Sequence, residues 1–164
     1  MQSLTAFLAT VPLFSSMTPE ERARLAPYFR LRPVAEGEVV LWEGRPHKSL
    51  FVLMQGRVVV TKQIRGDAEA VLAHLEPGAH FGEIDLVDGQ SASASVTVEK
   101  AGALLEFDQS RLLQLLDADN RLFSTFSWAL LRDLVTKLRR TNQKLQETIL
   151  WSLDATATDP SDLG

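Results

Sequence analysis

The stretch Pro77-Gly-Ala-His-Phe-Gly-Glu-Ile-Asp-Leu-Val-Asp-Gly-Gln-Ser-Ala-Ser-Ala-Ser-Val96 decides how the rest of the chain is read. A short apolar run ends at Gly82, a helical turn follows over Glu83 to Val87, and a loop carrying Gly89 leads into an alternating strand from Ala94 to Val98. That order places backbone N–H groups at the start of a helical turn with a glycine beside them. Chains bind phosphate in this way with few side chains, and Gly82 is expected to let a ligand come close to the backbone.

On both sides the texture is β-rich and punctuated by glycine. Short apolar runs fall at Val39–Trp42, Leu50–Met54, Arg57–Thr61, Ala70–Leu75, Ala94–Val98 and Ala103–Phe107, with turn signals at Gly37, Gly44, Gly56, Gly66, Gly78 and Gly89. Runs of this length and spacing predict a jelly-roll-like β-roll over about residues 30–108 rather than a βαβ fold. Helices flank it, giving an α+β domain over residues 1–153. Leu4, Phe7, Leu8, Val11 and Phe14 stand at helical spacings, so a first helix lays one face on the core. Thr18-Pro19-Glu20-Glu21 is a capping box with proline at the first helical position, opening a second helix that runs to about Phe29.

After Phe107 the pattern is helical, over Ser110 to Asp117 and then from about Asn120 to Leu153. Leu131, Leu138 and Leu145 recur at one heptad position, and Trp128, Val135, Asn142 and Ile149 at the other. Leucine at one seam position, mainly large apolar residues at the other and a single asparagine predict a parallel two-stranded coiled coil, with Asn142 fixing its register. A second stripe, Phe123, Phe126, Leu130 and Leu134, is predicted to pack on the roll. The competing reading merges both stripes into one core-facing surface, but at ~1.5 Å per residue a helix of this length outruns a small roll. The small, polar, acidic tail from Asp154 to Gly164 is predicted to be disordered.

Composition removes several classes of function. No apolar run approaches the roughly 18 residues of a membrane span, and no basic flank precedes the short apolar patches near the N-terminus. A cytoplasmic protein without membrane attachment is expected. The chain has no cysteine, which excludes disulfides and thiolate chemistry and fits a reducing compartment. A net charge of −4 argues against a basic nucleic-acid face.

The glycine punctuation carries a family likeness. Glu36-Gly-Glu-Val-Val, Glu43-Gly44, Leu50-Phe-Val-Leu-Met-Gln-Gly56-Arg-Val-Val-Val and Pro77-Gly78 resemble successive turns of the cyclic-nucleotide-binding β-roll. Val11-Pro-Leu-Phe-Ser-Ser-Met-Thr-Pro-Glu-Glu resembles its usual opening, and Pro77 to Val96 resembles its phosphate-binding cassette. The chain is thereby similar to the cAMP receptor protein (Crp/Fnr-like) family over about Leu4 to Ser152. The resemblance implies a cyclic nucleotide as ligand, with Glu83 accepting the ribose 2′-hydroxyl and the amides after Gly82, at Glu83, Ile84 and Asp85, holding the phosphate. It also implies an arginine near the end of the loop, ahead of Ser93-Ala94-Ser95, and that position is Ala92. Losing a desolvated partner of this kind costs about 2–5 kcal/mol, tens- to thousands-fold in affinity. Asp85 stands where the family has a small neutral residue, and a carboxylate there opposes an anion. Thr141-Asn142 resembles the pair that reaches the purine across the dimer; the alternative is that Asn142 only sets register and Thr141 is solvated.

The expectation is a non-enzymatic, homodimeric regulatory module that acts through a protein partner and needs no cofactor. Family transcription factors continue into a helix-turn-helix, for which only the short tail is present, so direct DNA reading is not expected. One alternative is a sensor that still binds cAMP, cGMP or a cyclic dinucleotide through Glu83, the loop amides and Thr141/Asn142. Another is a cupin-like metalloprotein using His47, His74, His80 and Glu83, although the usual His-x-His start is missing. Arg45, His47 and Lys48, in the turn after Gly44, are read as a solvated basic turn, the alternative being that a rearranged loop brings one of them to an anion.

Overall fold

The computed structural model describes residues 3–66 and 68–157, with side chains through Leu153. Two compact units divide the chain, Met1–Ala129 and Leu130–Gly164. No helix among the described residues is long and apolar enough to cross a membrane.

The first unit begins with α1 (Leu4–Leu8), a 3-10 turn (Pro12–Phe14), α2 (Pro19–Leu25) and a second 3-10 turn (Ala26–Tyr28). Proline lacks the N–H that would continue a helix, and Pro12 accordingly opens a separate turn, so the first helix stops short of Phe14. The capping box forms as expected: Glu21 N–H donates to the Thr18 hydroxyl at 3.2 Å, and Thr18 N–H to the Glu21 carboxylate at 2.8 Å.

The strands follow as β1 (Arg30–Val34), β2 (Val39–Leu41), β3 (Ser49–Arg65), β4 (Ala68–Leu75), β5 (His80–Phe81) and β6 (Ser95–Asp108), with α3 (Glu83–Asp88) set between the last two. All the pairings are antiparallel. The order is β1-β6-β3-β4, with β2 on β6 and β5 on β3. Two features differ from the sequence expectation. β1 was not anticipated, because Arg30, Arg32 and Pro33 do not look like a strand; it lies at one end of the strand order, where proline costs no ladder bond. The runs on either side of Gly56 are one long strand, β3, and those on either side of Gly102 are one long strand, β6.

These two glycines are where the long strands press together. A Cβ on Gly102 would lie 2.0 Å from the Gln55 carbonyl oxygen, and one on Gly56, at φ +93°, would lie 2.4 Å from that of Lys100. The ladder shifts register here, between Leu53 and Val58, so Gly56 marks a kink within a strand rather than a turn between two. Inside the roll, Val34, Leu41, Phe51, Leu53, Val58, Phe81, Val96, Val98 and Leu104 form one buried cluster.

α4 (Gln109–Ala118) and α5 (Asn120–Ala157) complete the chain. Phe126 stacks on Phe14 with ring centroids 6.2 Å apart and meets Phe107 at 4.9 Å. Phe126 and Leu130 of the expected stripe are buried, as are Leu122 and Ala129 beside them, while Phe123 and Leu134 are half-buried. In the second unit α5 carries Leu131, Val135, Leu138, Leu145 and Ile149 exposed, as Trp128 is in the first. The helix runs through Ala157, beyond the end at Leu153 read from the sequence, and the rest of the tail, residues 158–164, lies outside the described residues.

Candidate functional site

The cassette is a strand, a six-residue helix and a pinned loop. β5 pairs with β3 through Phe51↔Phe81 and Val52↔His80. Gly82 then takes a left-handed conformation at φ +82°, α3 follows, and Gly89 ends it at φ +65°. The loop beyond is fastened to the turn after β2: Ala92 N–H donates to the Arg45 carbonyl at 3.0 Å, and Gly44 N–H to the Ala92 carbonyl at 2.9 Å. Pro46 and Ser91 form an isolated bridge beside them. Lys62 on β3 holds the far end, donating to the Ser93 carbonyl at 2.6 Å and to Glu43 at 3.0 Å.

Gly82 serves a different purpose from the one its sequence context suggests. A Cβ there would fall 2.4 Å from the Ser49 carbonyl oxygen and 3.0 Å from His47 Cε1. The room given up by its side chain is filled by the protein's own backbone and imidazole, not kept for a ligand. Glu83 is buried, Ile84 is exposed, Ala92 is buried and Ser93 is exposed.

Asp85 is the unexpected element. Its carboxylate is buried, only 5% exposed, and is met by Nε2 of His47 in an ion-pair contact. The His47 ring lies 6.2 Å from that of Phe51, and its Nδ1 accepts a long bond from the Ser49 N–H at 3.4 Å. With Nδ1 accepting, the ring proton belongs on Nε2, facing Asp85. Burial pushes the Asp85 carboxyl above the ordinary aspartate range; His47 pulls it back, while Asp88 and Glu83 add to the rise. The basic turn is therefore not simply solvated. His47 is half-buried and engaged, while Arg45 is exposed and lies over the Trp42 ring at 5.4 Å, and Lys48 is exposed. The sequence places His47 among the candidate metal ligands and in the basic turn, but no local pattern pairs it with Asp85, or Lys62 with the Ser93 carbonyl, because those partners lie far apart in the chain.

The other candidates are dispersed. His74 on β4 bonds Glu99 at 2.9 Å, and with His47 engaged by Asp85 the set His47, His74, His80 and Glu83 is not gathered as one group among the described residues, although His80 and Glu83 lie within 4.8 Å of each other. Thr141 and Asn142 belong to the second unit, where both are exposed and the Thr141 hydroxyl donates to the Lys137 carbonyl at 3.0 Å.

An antiparallel roll carrying a short helix and a glycine-flanked loop is the architecture that the sequence resemblance implies. The profile of the cyclic nucleotide-binding domain matches residues 31–119, and the chain belongs to that family. Its relatives include the cyclic AMP receptor protein of Thermus thermophilus, 32% identical over 62% of this chain and 47% of the relative. A cAMP-dependent protein kinase regulatory subunit of Mycosarcoma maydis is 35% identical over 65% of this chain and 19% of its own length. The chain thus spans less than half of each of these relatives. Among solved structures, a cyclic nucleotide-binding domain from Methylobacillus flagellatus superposes with a TM-score of 0.77 at 24% identity, covering 88% of this chain and 82% of that one. The Thermus thermophilus catabolite activator protein gives 0.73 at 29% identity, covering 84% and 62%. By name the two relatives are a regulatory subunit and a receptor protein.

Proposed function

We propose that this chain is a non-enzymatic regulatory module that works as a homodimer on a protein partner, with ordinary cAMP binding weak or lost at its cassette. The buried Asp85 carboxylate carries this reading. A carboxyl group already sits in the cassette that the family resemblance assigns to phosphate, and a methyl group, that of Ala92, stands where the phosphate arginine is expected. An incoming phosphate must displace or tolerate that carboxyl without its usual partner. The absence of cysteine supports a reducing, cytoplasmic setting.

Calorimetry with cAMP, cGMP and a cyclic dinucleotide at neutral pH tests the reading. Weak or undetectable heats are expected from the wild type, and a measurable gain from Ala92→Arg combined with Asp85→Ala. Micromolar or tighter binding that Glu83→Ala abolishes would establish the sensor instead.

Dimerisation rests on the exposed seam from Trp128 to Ile149, with Asn142 within it. Light scattering is expected to give twice 18.2 kDa and Leu138→Asp to give the monomer mass; a monomeric wild type overturns this part of the proposal.

A further inference from the structure

We propose that the contact between Asp85 and His47 is an autoinhibitory, proton-operated latch: a charged Asp85 occupies His47 from within, and a neutral Asp85 releases it to an anionic ligand of the phosphodiester class. This inference rests on the reading above, that the cassette lacks its usual phosphate cation, and says how that same loop is regulated.

The basic side chains around the loop differ in what they can offer. Lys62 is committed to Glu43 and the Ser93 carbonyl. Lys48 is exposed, and its Cε lies 3.8 Å from where a Cβ of Gly89 would be. His47 alone among these three meets α3, with Nε2 against the Asp85 carboxylate. Its ring is fixed by Phe51 on one side and closely approached by the backbone at Gly82 on another. With Nδ1 turned to the Ser49 N–H, the single proton on Nε2 can serve Asp85 or a phosphate oxygen, but not both.

The charges around Asp85 set the direction of the switch. His47 faces it from the segment entering β3, and Glu83 and Asp88 act on it from its own helix. Two carboxylates and a buried position disfavour the charged form, and the histidine favours it. A bound anion next to Asp85 would disfavour its charge further. Binding therefore takes up a proton, and affinity rises as pH falls through the range in which Asp85 neutralises.

The test is calorimetry of the full chain with cAMP, whose phosphodiester keeps one negative charge throughout, run at about pH 5.5 and at about pH 7.5. Asp85→Asn is expected to bind measurably more tightly than wild type at the upper pH, because the carboxylate that holds His47 is gone. The gap should narrow toward the lower pH, where wild-type binding, run in two buffers of different ionisation enthalpy, shows proton uptake. Asp85→Asn combined with His47→Ala should lose the gain. No gain in Asp85→Asn, a gain that survives loss of His47, or a wild-type affinity that is flat with pH and takes up no proton each overturns the latch. The wild-type series needs no variant to fold. Tight wild-type binding at the upper pH would defeat the reading of the cassette and leave the latch to be judged on the pH slope, whereas no binding under any condition defeats the latch alone.

Discussion

β3 and β6 bury Leu50, Val52, Leu53 and Val58 together with Val98, Leu104, Leu105 and Phe107, whereas in the unit Leu130–Gly164 the side chains of Leu131, Val135, Leu138, Leu145 and Ile149 remain between 42% and 60% exposed. Both regions carry a regular apolar pattern. In the strands, the chain itself supplies the cover: Leu53, Val58, Val98 and Leu104 pack into one cluster with Val34, Leu41, Phe51, Phe81 and Val96, and Phe107 meets Phe29 and Phe126. For the heptad stripe, we have proposed a second copy as the cover. Periodicity thus reveals that a face exists, and the fold reveals whether it has already been used.

The largest effect is expected where the roll is closed on itself. Gly102→Val places a side chain into the Gln55 backbone, which cannot withdraw without parting β3 from β6, and should cost on the order of 3–5 kcal/mol. A thermal melt like that of the wild type would show that the crossing is looser than its distances imply.

A smaller effect is expected at the junction of roll and helices. Asp108 caps α4, accepting from the Arg111 N–H at 2.9 Å and the Ser110 hydroxyl at 2.5 Å. Burial pushes its carboxyl up, but the bonds from Ser110 and Arg111 outweigh that and hold it below the ordinary aspartate range. The stabilisation is therefore present above the unfolded-state pKa and lost as pH falls through the lowered folded-state value. Denaturant titrations of Asp108→Ala should show a loss of about 1 kcal/mol at neutral pH, and the difference from wild type should close in acid. An equal loss at both pH values would mean that the side chain acts by packing.

The smallest effect on the roll should come from Leu138→Asp. Although it is expected to halve the mass in solution, it should shift the unfolding of the first unit by less than about 0.5 kcal/mol, as for an exposed position away from any cap or core. A large loss would mean that this stripe supports the roll, and the contrast between the two regions would fail.

Much of this was legible in the residues. Thr18 and Glu21 announced a helix start that forms with both bonds in place, because a capping box is a local device that needs nothing from the rest of the chain. The glycines announced a β-roll, but not which of them turn the chain. Gly56 and Gly102 are required by a backbone that lies far away in sequence, and no local pattern separates that use from a turn. Gly82 repeats the lesson at the site, since it accommodates Ser49 and His47. Asp85 could be recognised as a charge out of place. The histidine that answers it, thirty-eight positions earlier, became visible only when the turn after β2 was seen fastened to Ala92.

The long ladder of β3 on β6 also bears on how the protein is assembled in time. Arg65 pairs with Ala68, so the β3–β4 hairpin closes a short loop and is expected to form early. The contacts that complete the roll join Ser49 to Asp108 and Thr61 to Ser95, and they must wait until the hairpin, β5, α3 and the pinned loop between them have been gathered in. Closure of that span is expected to be the slow step, since its long loop must be ordered before the ladder contacts form. The cassette lies within it, so a folding series should find the site taking its shape late.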